Sequence, residues 1–271
     1  MINVKVLKNI IIRDVINGFS QNKTQYFLFV LFIAIITISS GNALKNEHAN
    51  IVDIFFLNYK DIGYVINNEG MLNIPMNWLM INMFIAFIIG NFLSKDLQEM
   101  SVYILVRTKR FREYWIAKVC WIAINILVIY SLLFIVTYCI GSIFVDTSIE
   151  WSLFSQRIIQ NQLLMEITGG ELLTNLLLLY CMTSFTVSLL QVNLSLFVDS
   201  KYSFLLILLI LSSSIVVDNQ LLPGIHSMLL KHEYFDNIHN LTIGKSVLYN
   251  FILSLIFSCT GYLKIIRKDI I

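Results

Sequence analysis

SKDLQEMSVYILVRTKRFREYWIAK, residues 94–118, is flanked on both sides by long apolar runs. It carries Lys95, Arg107, Lys109, Arg110, Arg112 and Lys118, six of the nineteen basic residues of the chain, with Asp96, Glu99 and Glu113 interleaved. Helical spacing puts Met100 and Ile104 on one face, with Val102 and Leu105 close by. The Arg107-Thr-Lys-Arg110 cluster follows, and Trp115 opens the next apolar run. A charged, partly helical stretch between two such runs predicts a hairpin on one side of a membrane.

Composition supports the bilayer as solvent. The 271 residues are 57% hydrophobic and 13% charged, against about 25% charged in a typical soluble domain. The charges cluster between charge-free runs at 24–44, 70–94, 119–145, 172–198, 202–217 and 246–263. A helix needs roughly 20 apolar residues to cross a core of about 30 Å. Four runs exceed that length, the run at 202–217 is short, and that at 246–263 is close to it. The reading is an all-α integral membrane protein with six spans, about 25–44, 76–94, 116–142, 171–196, 202–217 and 246–264, forming one membrane domain over 1–271.

Orientation follows from Lys and Arg, which stay preferentially on the cytoplasmic side. With the N-terminus inside, fourteen basic residues fall inside and five outside. Both termini and residues 94–118 are then cytoplasmic, and the expected location is the cell membrane. A net charge of +2 gives no reason to expect a nucleic-acid partner. Cys120, Cys139, Cys181 and Cys259 each fall within an apolar run, with no metal-ligand or CxxC spacing.

Before the first span, Val4, Leu7, Ile11, Val15 and Phe19 share one helical arc, and Asn9, Arg13, Asn17 and Ser20 the opposite one. Residues 1–23 therefore read as an amphipathic helix lying along the inner leaflet. Outside, 45–69 is a polar loop around an apolar patch, Ile51 to Leu57, expected to dip into the headgroups. Trp151, Phe154, Ile158 and Ile159 predict an outer-surface helix ended by Gly169-Gly170. After the fifth span, NQLLPGIHSMLL is too short to cross and is interrupted by Pro223-Gly224. It reads as re-entrant or interfacial.

The chemistry that is missing narrows the function. The charges fall at the ends of the runs, so no ion-coupling residue stands at membrane depth. The one Gly-Lys-Ser, Gly244-Lys245-Ser246, lacks the Gly five residues earlier that a phosphate loop needs, because His239 is there. Neither HExxH nor GxSxG occurs. His48, His226, His232 and His239 match no zinc spacing. No catalytic, cofactor or metal residue is expected.

The chain resembles the membrane subunits of type-2 ABC transporters, the exporter-like permeases of bacteria. In residues 94–118, Glu99 matches the family's acidic position, Ile104 and Leu105 its hydrophobic pair, Arg107 to Arg110 its basic turn, and Lys118 the Lys that opens span three. Met100-Ser101 stands where the family has a Gly. Arg13, Asp14, Phe19 and Asn22-Lys23 match the helix before span one, and Leu222-Pro223-Gly224 the re-entrant piece. The resemblance implies a half-transporter whose coupling hairpin binds a separate P-loop ATPase through Glu99, Ile104, Leu105, Arg107 and Arg110. ATP and Mg would sit on that partner. A second membrane subunit, identical or paralogous, would face this one, and the cargo would be an amphipathic or lipophilic peptide, drug or lipid. The alternative reading is a membrane anchor or sensor subunit that scaffolds a signalling partner without transport.

Overall fold

The computed structural model describes residues 3–61, 74–96, 111–217, 219–238 and 241–267. Among these, eight α-helices follow in order: α1 (Val4–Leu44), α2 (Ile51–Tyr59), α3 (Met76–Lys95), α4 (Phe111–Gly141), α5 (Leu153–Ile158), α6 (Gly169–Ser195), α7 (Ser200–Val216) and α8 (Ile243–Arg267). Short 3₁₀ turns stand at Gln160–Gln162, Pro223–Ser227 and Leu229–Lys231. No strand is present among the described residues, only isolated bridges such as Asn50 to Asp146.

The helices start where capping chemistry allows. Asn3 caps α1, its side chain accepting from Val6 N at 3.2 Å. Asn50 and Asp53 form a reciprocal capping box on α2, and Thr168 and Glu171 form another on α6. Each box satisfies two amides that a helix start otherwise leaves open. The chain has two prolines, Pro75 and Pro223. Both lie at the entry to a helix or 3₁₀ turn, where a missing N–H costs nothing.

Side-chain pairs fix the directions. Asp14 meets Lys118 and Tyr26 meets Asn125, so α1 and α4 run parallel. Asn22 binds Ile88 O at 3.1 Å while Phe29 meets Phe84, so α3 runs against α1. Thr186 reaches Asn250 O and Asn193 reaches Phe257 O, so α6 and α8 are parallel. Ser200 and Phe204 of α7 face Gly90 and Phe87 of α3, and these two are antiparallel. The helices α1, α3, α4, α6, α7 and α8 therefore alternate in direction. One end of the bundle holds Arg13, Asp96 and Lys118 and is called here the hairpin end. The opposite end holds α2, α5 and the 223–236 turns.

Polarity is inverted relative to a water-soluble bundle. Phe27, Leu31, Ile35, Leu127, Ile135, Leu209 and Leu255 are exposed, while Thr37, Asn125, Thr183, Gln191, Ser203 and Asn250 are buried. Apolar side chains face outward and polar ones bond across helices, the pattern that lipid as solvent imposes. The helices α1, α4, α6 and α8 are long and apolar enough to cross a membrane; α3 and α7 are apolar but shorter. The chain is an all-helical membrane protein. Close crossings use glycine: a Cβ on Gly18 would strike the Trp121 indole, and one on Gly261 the Trp115 ring.

Three local expectations change. The amphipathic segment and the first span are one 41-residue helix, α1. Nothing near Asn22 breaks it, because the Asn22 amide bonds across to α3 rather than capping a new helix. Gly169 and Gly170 open α6 instead of ending the helix before it, since the Thr168–Glu171 box sits on them. The patch Ile51–Leu57 does not lie loose at a surface: Ile51, Val52, Ile54, Phe55, Phe56 and Tyr59 of α2 are buried against α1, α3, α4 and α6. Burying each such side chain is worth about 1.5–3 kcal/mol. The Leu222-Pro223-Gly224 segment forms a 3₁₀ turn packed on Ser214 and Trp78.

Candidate functional site

A concentration of buried charge lies at the hairpin end, where α1, α3 and α4 converge. Arg13 and Asp14 come from α1, Asp96 from the end of α3, and Tyr114 and Lys118 from the first turns of α4. Asp14 and Lys118 have no exposed side-chain surface, and Asp96 is 6% exposed. Arg13 is the most open of the four charged residues, at 26%.

The four charges close a ring. Lys118 Nζ donates to Asp14 Oδ2 at 2.7 Å and stands 2.6 Å from Asp96 Oδ2. The Arg13 guanidinium donates to Asp14 Oδ1 through Nε at 2.9 Å, and through Nη2 as well. The same Nη2 donates to Asp96 Oδ1 at 3.1 Å. Each carboxylate thus gives one oxygen to Arg13 and the other to Lys118. Tyr114 Oη donates to Asp96 Oδ2 at 2.6 Å. The Lys118 ammonium also lies 4.7 Å from the Tyr114 ring centroid and 5.3 Å from that of Phe92, where ring faces attract a cation.

Charge balance explains why the ring is stable while buried. Two acids and two bases sum to zero, and both carboxylates are fully hydrogen-bonded. Taking an ion out of water costs several kcal/mol, and the pairing must return that cost through geometry. Neighbouring contacts fix the frame. Glu113 Oε1 accepts from Asn3 N at 3.1 Å, holding the start of α1 on α4. Asn91 Nδ2 donates to Asn22 Oδ1 at 3.0 Å, tying α3 to α1.

The ring is a closed hydrogen-bonded network that ties α1, the end of α3 and the start of α4 together. It joins the end of α3, at Asp96, to the start of α4, at Tyr114 and Lys118. Both ends are fastened to α1 through Asp14 and Arg13. The expected coupling residues Glu99, Ile104, Leu105, Arg107 and Arg110 lie outside the described residues. Lys118, Arg13 and Asp14, quoted separately in the sequence, come together. Sequence spacing places Arg13 on the polar arc of residues 1–23 and Lys118 at the opening of a later span, and no local pattern connects them. Across α3 from the ring, a groove of about 740 Å³ lies between α3 and α7. Phe87, Phe204 and Leu205 line it, with Asp199 and Lys201.

A family model described as "Protein of unknown function (DUF2705)" matches residues 27–271. Asp96, Tyr114 and Lys118 fall within the matched part, whereas Arg13 and Asp14 precede it. No curated protein and no solved structure matches the chain. With nearly the whole length covered, the chain belongs to the DUF2705 family.

Proposed function

We propose that this chain is the membrane-spanning permease subunit of an ATP-driven ABC transporter, with ATP turnover supplied by a separate P-loop ATPase. The observation that carries the reading is the charge ring. A segment that receives movement from a partner must have both ends fastened to the helices it moves, and Asp96–Lys118 together with Asp14 provides such a fastening. On this reading residues 97–110 are the coupling hairpin, cytoplasmic like both termini. The alternating directions of the six long helices support six spans, with α3 and α7 as the shorter two.

A half-transporter of this kind works with a second membrane subunit, identical or paralogous. The groove between α3 and α7 has aromatic walls beside one acid and one base, which suits an amphipathic or lipophilic cargo moved outward.

The test is affinity purification of the tagged chain from its native membrane in mild detergent. A co-purifying P-loop ATPase, whose turnover in liposomes responds to amphipathic compounds only when this chain is present, is the expected result. Recovery of a sensor kinase without an ATPase would instead identify a scaffolding subunit and overturn the transport reading.

A further inference from the structure

The opposite end of the bundle holds a second buried polar cluster that the transport reading does not use. Ser246, in the first turn of α8, has its hydroxyl 3.0 Å from His226 Nδ1 and 2.9 Å from His232 Nε2. The far nitrogen of each imidazole meets a backbone carbonyl: His226 Nε2 lies 2.9 Å from Gln220 O, and His232 Nδ1 lies 2.9 Å from Met228 O. His226, His232 and Ser246 are all buried, and the Tyr249 ring stacks on His226 at 4.0 Å.

Counting hydrogens decides what this arrangement holds. A carbonyl oxygen only accepts, so each imidazole must carry N–H on the nitrogen facing its carbonyl. A neutral imidazole has one N–H. The nitrogens facing Ser246 are then both acceptors, and a serine hydroxyl has a single hydrogen to offer. One of the two contacts would set lone pair against lone pair in a buried site. One added proton removes the conflict: the charged imidazole donates to Ser246 Oγ, and the Ser246 hydroxyl donates to the other ring. The chain of bonds then runs unbroken from Gln220 O to Met228 O. A second proton would place two like charges on one hydroxyl.

We propose that His226, Ser246 and His232 form a proton-binding site that takes up one proton in common, and that this proton fastens the 220–236 segment to the start of α8. The segment is also held by Trp78 Nε1 donating to Ser227 Oγ at 3.0 Å, by the packing of Gly224 on Ser214, by Tyr249 Oη of α8 donating to Leu221 O, and by the backbone bonds Glu233 N to Leu241 O at 2.9 Å and Leu164 N to Tyr234 O at 2.8 Å; the shared proton adds a second tie to α8. Burial holds the His226 pKa below the ordinary imidazole value, and the Gln220 carbonyl offsets part of that. Among the described residues, the other titratable groups around the pair are Tyr249 and Lys245 on α8 and Lys231, Glu233 and Asp236 within the segment. Asp61 and Lys60, beyond α2, face it through Lys231. The inference is independent of any ATPase partner.

The test is nitrogen-15 NMR of histidine-labelled full-length protein in nanodiscs, titrated from about pH 8 to about pH 5, where imidazoles change charge. Coupled sites titrate in two steps, so two proton affinities at least about tenfold apart are expected, with both rings responding in each step. Ser246→Ala is expected to uncouple the rings into independent titrations, and Ser246→Thr, which keeps the hydroxyl, to restore the coupling. Amides 225–232 should exchange slowest in the one-proton interval. If both wild-type rings stay neutral across the range, or titrate independently with the hydroxyl present, the shared proton does not exist.

Discussion

Lys118 and Asp14 pair at 2.7 Å with neither side chain exposed, although 104 positions separate them in the chain. A surface pair of this kind would contribute at most about 1 kcal/mol. A fully buried one behaves differently, because removing one partner strands the other in a medium that solvates it poorly.

Lys118→Met is therefore expected to destabilise the fold by about 3–5 kcal/mol, since it leaves Asp14 and Asp96 facing Arg13 alone. Lys118→Met combined with Asp14→Asn should recover a large part of the loss, as one stranded charge goes with its partner. Thermal melts of the detergent-solubilised variants check this. A double variant no more stable than Lys118→Met alone would show that the pair is not coupled.

Glycine contacts give a second expectation. A Cβ on Gly261 would enter the Trp115 ring and lie 3.0 Å from Asn193 Oδ1. Gly261→Ala should thus cost about 1–3 kcal/mol through overpacking. Gly244, where the Cβ would meet only Thr242 Oγ1 at 3.9 Å, is the control. Gly244→Ala should be neutral or stabilising by up to about 1 kcal/mol. Equal melting losses at both positions would remove the α4–α8 crossing as the cause.

Asp61 carries a pH dependence with a definite sign. Its carboxylate is buried opposite the amides of Leu230 and Leu229 and the ammonium groups of Lys231 and Lys60, without closing a hydrogen bond to any of them. Burial dominates and holds its pKa well above the ordinary carboxylate range. Unfolded, the group ionises near pH 4; folded, it ionises at higher pH. Its penalty on folding is absent below about pH 4 and grows as pH rises through the folded value. Asp61→Asn removes the ionisation, and Asn tolerates the left-handed φ of 67° found there. The variant should melt higher than wild type at about pH 8 and level with it at about pH 4; a lower melt at the higher pH would reverse the assignment.

Topology is open to cysteine labelling in a background without the four native cysteines. Glu47 and Ile238 are exposed at the end opposite the charge ring, and cysteines placed there should react with an impermeant reagent added outside. Cysteines at Lys201 and Arg110 should react only after permeabilisation. Lys231, by contrast, is buried and makes a poor probe. Labelling of position 110 in intact cells would turn the proposed orientation over.

For the hairpin, Ile104→Asp and Leu105→Ala are expected to weaken association with the ATPase by at least about 2 kcal/mol, a roughly 30-fold loss. Lys95→Ala should change it little, as a rim charge does. Membrane insertion should be unaffected, since no span is altered. Pull-downs from membranes that retain all three variants separate the outcomes. Wild-type binding by both apolar variants would dismiss residues 97–110 as the docking element.

Much of the helical layout was legible because charge-free length is a one-dimensional property. The run predicted at 76–94 is α3 at Met76–Lys95, and that at 202–217 is α7 at Ser200–Val216. What failed depended on partners distant in the chain. Asn22-Lys23 has the composition of a boundary, yet Asn22 bonds to Ile88 and α1 runs through it. The Asp14–Lys118 and Arg13–Asp96 contacts span 104 and 83 positions, and no local pattern encodes them. For the His226–Ser246–His232 cluster, the residues lie within twenty-one positions, but only the turns at Pro223–Ser227 and Leu229–Lys231 bring them to one hydroxyl.

The unbroken course of α1 has a consequence for movement. From Asp14 to Leu44 the helix measures about 45 Å at 1.5 Å per residue, half as long again as the roughly 30 Å hydrocarbon core. Pivoted at Asp14, a tilt of only about 5° would swing the Leu44 tip by about 4 Å, roughly three-quarters of a helical turn. The lever has no proline along its length at which to bend. A displacement too small to disturb packing beside the charge ring would therefore reach the far side of the bilayer magnified, in the very helix that α2 leans on.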